Sequence, residues 1–143
     1  MVVRRLWVAE VAGSNPVTLI MHSSKFKKMH HIAKEVALEN ERQKKHVSLI
    51  LVRNRIISIG TNHHKSHPMA KRIGYRYDEV HSELDALIRC KERKNLELIN
   101  FRFNRFGEMR ISRPCTLCIP WCKMIFDKIY YTSDTYSYER LEY

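Results

Sequence analysis

The 143-residue chain predicts an α/β fold, a three-layer domain with a mixed sheet of about five strands between helices on both faces. Three observations lead there. Stretches with apolar residues at three-and-four spacing alternate along the chain with short β-branched runs. The β runs end in turn residues, at Arg53 and Asn54 and again around Gly107. The length suits one hydrophobic core rather than two.

Residues 1–20 have no usable periodicity and carry the loop punctuation Gly13, Ser14, Asn15 and Pro16. That run reads like the translated T-arm of a transfer RNA gene. Residues 1–20 are therefore expected to be a non-native or disordered extension ahead of a single domain over 21–143, the alternative being an extra strand over 6–11. Ser23 and Ser24 offer N-caps for a first helix, whose apolar face is Phe26, Met29, Ile32, Ala33, Val36 and Ala37. Lys25, Lys27, Lys28 and Lys34 face elsewhere and share a surface with His30 and His31. It is read as a solvated face, with an RNA-facing one as the alternative.

Residues 46–52 and 56–60 read as a β-hairpin turning at 53–55. Residues 62–77 read as a loop rich in histidines, cations and tyrosines. Asp78 caps the next helix, with His81 in its first turn and Val80, Leu84, Leu87 and Ile88 on its apolar face. Cys90 is expected to pack in the core. A strand over 96–103 turns at 104–108, and residues 109–113 run extended into Pro114. A third helix over 116–126 is expected to turn Trp121, Met124 and Ile125 inward, followed by a strand over 128–132. Any strand over 136–141 must return antiparallel, because too few residues remain for a parallel crossover.

A formal net charge of +11 favours an anionic partner, nucleotide or polynucleotide. No apolar run approaches the roughly 18 residues of a membrane helix, so no membrane partner is expected. Four cysteines without a convincing signal peptide point to a reduced, cytoplasmic setting in which thiolates bind metal.

Two short stretches carry chemistry. His81, Ser82 and Glu83 spell H-x-E, and Pro114, Cys115 and Cys118 spell P-C-x-x-C. Alone, H-x-E arises by chance on any helix, and C-x-x-C serves equally as a redox pair or half of a structural zinc site. Together they resemble the signature of the zinc-dependent cytidine/deoxycytidylate deaminase superfamily. A helix followed by a hairpin also opens that fold, and Gly60-Thr61-Asn62 matches its Gly-x-Asn.

The resemblance implies Zn2+ held by His81, Cys115 and Cys118, with a fourth position open to water. It implies Glu83 as the catalytic proton shuttle, in hydrolytic conversion of cytosine to uracil within a nucleoside or nucleotide. Asn62 is then a substrate contact, or merely a turn former. His67, Lys71, Arg72 and Arg113 are candidate phosphate or nucleic-acid contacts, or solvated cations. Ser82 stands where the family most often has alanine. Cys122, one helical turn past Cys118, is a packed thiol or a fourth ligand that would close the zinc. An antiparallel C-terminal hairpin resembles the cytidine deaminase branch, and family members usually form homo-oligomers. Two other functions compete: a deaminase editing RNA or single-stranded DNA, and a non-catalytic nucleic-acid-binding zinc protein.

Overall fold

The computed structural model describes residues 18–19, 24–65, 67–75, 79–133 and 137–143. The first half of the chain gives β1 (Thr18–Leu19), α1 (Ser24–Leu38), β2 (Lys45–Val52), β3 (Arg55–Thr61), α2 (Pro68–Ile73) and α3 (Ser82–Arg89). The second half gives β4 (Glu97–Phe103), β5 (Met109–Arg110), α4 (Cys118–Ile125), β6 (Lys128–Thr132) and β7 (Tyr138–Arg140).

Alternation along the strands sorts side chains to two sides of one sheet. Val47, Leu49 and Leu51 of β2, Ile99, Phe101 and Phe103 of β4, and Tyr130 of β6 pack with Phe26, Met29 and Ala33 of α1. Ile50, Leu98 and Ile129 face the other way and pack with Leu84 and Leu87 of α3 and Cys118 and Cys122 of α4. Helices therefore cover both faces, as the three-layer expectation requires.

Among the described residues the mixed sheet has seven strands, ordered β1-β7-β6-β4-β2-β3 with β5 added beside β4. β4 and β6 are parallel, and the other pairs are antiparallel. The strands beyond the expected five are the two-residue β1 and β5, too short to show a period. The β2–β3 hairpin turns on Arg53 and Asn54, both at positive φ (51° and 65°), the geometry of a two-residue primed turn. β6 and β7 pair antiparallel, as the short C-terminus predicts. Thr18 and Leu19, inside the expected extension, pair with β7. Residues 1–17, Ser23, Asp78 with its expected cap, and the turn at 134–136 lie outside the described residues.

Four expectations are corrected. The 62–77 loop contains α2, where Pro68 fills the first turn, the His67 ring accepts from Met69 N–H, and Gly74 (φ 98°) closes the C-terminus. His81 is the N-cap of α3, not a member of its first turn. α4 starts at Cys118, and it buries Cys118 and Cys122 while Met124 stays 86% exposed. The sulfur stripe, not the methionine, is its core edge. His30 is half-buried, its ring 5.6 Å from that of Phe103; His31 stays exposed and pairs with Glu35.

Gly60 fixes where α3 lies. A Cβ there would stand 2.2 Å from Ala86 N and 2.3 Å from Ser82 O, so only glycine lets helix and strand approach this closely. Ser58 Oγ donates to Ala86 O, and Thr61 N–H donates to Asp85 Oδ2. Beyond β3, His63 and Val80 exchange backbone hydrogen bonds, which delivers the chain to His81 in a fixed register.

Candidate metal centre and its cleft

Two helix N-termini supply the centre. α3 brings His81 from the bridge with His63. The segment after β5 brings the cysteines, and Ser112 pins that segment between β4 and β6: its Oγ donates to Asn100 O and accepts from Thr132 N–H. Pro114 follows two residues later, and Cys115 O accepts from Cys118 N–H and Ile119 N–H to start α4.

The donor atoms of His81, Cys115 and Cys118 all lie within 4.8 Å of one another. His81 Nδ1 is 3.6 Å from Cys115 Sγ and 3.5 Å from Cys118 Sγ. Tetrahedral zinc, with Zn–S about 2.3 Å and Zn–N about 2.05 Å, sets nitrogen and sulfur about 3.6 Å apart. The three residues therefore form a group that could hold a metal ion such as zinc, and donor type and spacing both fit it. Cys122 lies outside this group, fully buried in the core; it is a packed thiol. Cys90 is buried likewise.

Residues outside the motif hold the donors. His81 Nε2 lies 3.2 Å from Glu79 Oε1, which turns Nδ1 toward the sulfurs and orients the ligand. Tyr75 stacks on the His81 ring, centroids 3.9 Å apart at 10°, and its hydroxyl is 2.8 Å from Cys118 Sγ. Charge follows this geometry in the metal-free protein. Burial works to lower the His81 pKa, but hydrogen bonds to Cys115 and Glu79 outweigh it and hold it at about 9. The Cys115 thiol is pulled down to about 4, first by its hydrogen bond with Cys118 and then by His81, against burial. Cys118 is pushed up by the same bond and by burial. One thiolate thus faces an imidazolium, with the second thiol neutral.

Glu83 is buried, 5% exposed, on the same cleft. Its Oε1 accepts from Ser82 Oγ at 3.2 Å and its Oε2 from Asn100 Nδ2 at 3.1 Å. Ser48 Oγ closes the ring, donating to Asn100 Oδ1 at 2.6 Å and lying 2.8 Å from Ser82 Oγ. Burial raises the Glu83 pKa, partly offset by its own backbone, His81 and Asn100. Reading the sequence missed Ser48, Asn100, Ser112, Tyr75 and Glu79 as parts of the site. A signal existed for two of them: Ser48 and Asn100 interrupt otherwise apolar strands.

The cleft encloses about 330 Å³ and is lined by Glu79, His81, Glu83 and Cys115, and by Arg42, Lys44, His46, Asn62 and Arg113 among others. Of the other expected contacts, Asn62 and Arg113 line it. His67, Lys71 and Arg72 sit at the start and along α2 and do not. The Asn62 amide is engaged: Nδ2 donates to Lys44 O, and Oδ1 accepts from His46 N–H and Asn40 Nδ2.

Among the described residues no helix is long and apolar enough to cross a membrane. No family model matches the chain, and no curated protein matches it either.

Proposed function

We propose that this protein is a zinc-dependent hydrolytic deaminase that converts cytosine to uracil in a nucleoside or nucleotide. One observation carries the reading: three zinc-type donors lie at zinc spacing, and two of them, His81 and Cys115, line a cleft with the buried carboxyl of Glu83, which is not one of them. Zinc held there supplies an open coordination position at which water ionises near neutral pH.

The chain's own groups supply the remaining work. His81, Cys115 and Cys118 would hold the metal through Nδ1 and two sulfurs. The reaction forms a C–O bond at the amidine carbon, breaks the C–N bond and releases ammonia, so protons must travel from water to the ring nitrogen and the leaving nitrogen. Glu83 is the group to carry them. Burial raises its affinity for a proton, and Ser82 and Asn100 hold both carboxyl oxygens in place. A positioned acid–base of this kind contributes roughly 10²–10⁴ in rate.

The test is turnover by zinc-loaded protein of cytidine, deoxycytidine, their monophosphates, adenosine and single-stranded oligonucleotides, with products identified by mass. Glu83→Gln should keep zinc at full stoichiometry and lose at least about 10²-fold in kcat. Zinc-replete protein that deaminates nothing in the panel, or a Glu83→Gln variant with unchanged kcat, would end the proposal.

A further inference from the structure

The cleft is lined by two chemically different sets of groups. Glu79, Glu83, His81 and Cys115 supply acids and metal-type donors. Arg42, Lys44 and Arg113 line the same cavity and are cationic. The site motif calls for none of these three.

The cationic part is built on a fastened backbone. Asn62 ties down Lys44 and His46 through its amide and also holds Asn40, while Asn40 Oδ1 accepts from Arg42 N–H. The connection between α1 and β2 is thereby stitched to the end of β3, and Arg42 and Lys44 project from a fixed frame. Arg113 comes from the segment after β5, one residue past the pinned Ser112. The charges are concentrated: burial, then Arg102, His81, Lys44 and Arg42, hold the His46 pKa down to about 4. Among the described residues neither Lys44 nor Arg113 forms an ion pair. Cations gathered and left unpaired at a concave site are what an anion needs.

The distribution of the other cations limits the size of that anion. A strand-binding groove would continue the charge along the surface. Here Arg110 turns to Glu108, Arg105 lies over the Phe106 ring, and Lys71 and Arg72 stand on α2 outside the cleft. These four cations therefore do not extend the charge of the cavity.

We propose that Arg42, Lys44 and Arg113 form a seat for the phosphate monoester of a mononucleotide whose base enters toward His81, Cys115 and Glu83. The seat rests on the deaminase reading for the identity of the base; for the phosphate it rests on the cations alone. Asn62 acts in it through the backbone it holds.

Equilibrium binding to zinc-loaded protein tests this, with cytidine, cytidine 5′-monophosphate, inorganic phosphate and an octamer of deoxycytidine as probes. The monophosphate should bind about tenfold or more tighter than cytidine, as expected for charge-assisted contacts, and inorganic phosphate should compete with it. Arg42→Ala, Lys44→Ala and Arg113→Ala should each shrink that ratio. Lys91→Ala with Lys94→Ala, which removes the same kind of charge elsewhere on the surface, should not. Equal affinity for cytidine and its monophosphate overturns the seat, as does an equal loss in the Lys91/Lys94 control. Tighter binding of the octamer than of the monophosphate, lost in the same three variants, overturns the mononucleotide assignment. The two proposals fail separately. Selective binding of the monophosphate without deamination upholds the seat and ends the deaminase reading, whereas cytidine and monophosphate deaminated at equal kcat/KM do the reverse.

Discussion

On the α1 side of the sheet, β2 presents Val47, Leu49 and Leu51 and β4 presents Ile99, Phe101 and Phe103, all fully buried. One residue along, the same two strands present Ser48 and Asn100, also buried, to Ser82 and Glu83. The first face is held by apolar area withdrawn from water, at roughly 25 cal/mol per Å². The second carries Ser48, Ser82, Glu83, Asn100, Ser112 and Thr132, each of which would cost free energy if left unpaired. All six have partners. The dry face therefore supplies stability alone, whereas the wet face adds to its own apolar cluster around Ile50, Leu98 and Ile129 a polar ring that fixes where a carboxyl and three potential metal donors stand.

The largest expected effect breaks the dry face. Phe101→Ala should destabilise the protein by about 3–5 kcal/mol in denaturant unfolding, while the fraction still folded binds zinc with unchanged stoichiometry. Loss of zinc from folded Phe101→Ala protein would mean that the two faces do not divide the work. Ser48→Ala makes the opposite cut. It should cost only about 1–2 kcal/mol, from the acceptor left unmet on Asn100, yet lower kcat with KM and zinc content unchanged, because Glu83 loses one side of its support. Ser48→Thr, which restores the hydroxyl, should recover kcat. An unchanged kcat in Ser48→Ala would make the ring a packing device.

A smaller effect is electrostatic and confined to the wet face. Metal binding needs a neutral imidazole and two thiolates. At pH 7.5 Cys115, held at about 4, is already a thiolate. His81, held at about 9, carries a proton, and Cys118, pushed up, carries another. Zinc uptake should therefore release about two protons, measured by calorimetry in buffers of different ionisation enthalpy. Because His81 and Cys118 must lose protons on binding, apparent affinity should rise with pH, most steeply below about 9, where His81 is still protonated, and less steeply above it. Release of no protons would contradict this charge assignment.

The same contrast explains what could be read from the chain. Strand β2 was legible as a β-branched and leucine-rich run, β4 by its alternation and β6 as a short run after the last helix, and the hairpin was legible from Arg53 and Asn54. The metal donors were legible because Cys115 and Cys118 share one turn and His81 and Glu83 another. The ring around Glu83 was not, since Ser48, Ser82 and Asn100 meet across separations of 34 and 52 residues. Periodicity along one element cannot see such contacts. α2 was hidden by its length, six residues with a proline start and a glycine stop, which reads as punctuation. Met124 was placed inward because it follows Trp121 at helical spacing. Tertiary contact chose the neighbouring stripe of Cys118 and Cys122, whose small side chains let α4 lie close to the sheet.

His81 and Cys115 are 34 residues apart, and they ride on different supports, one locked to β3 through Gly60 and the other hung from Ser112. A metal joining them is therefore a removable cross-link. It forbids the unfolded chain every conformation in which that loop is open, a restriction of about 4 kcal/mol at 25 °C if reckoned as for a disulfide closing a loop of this size. A metal held there would staple the last third of the domain to its middle, so that metal supply would govern the lifetime of the fold.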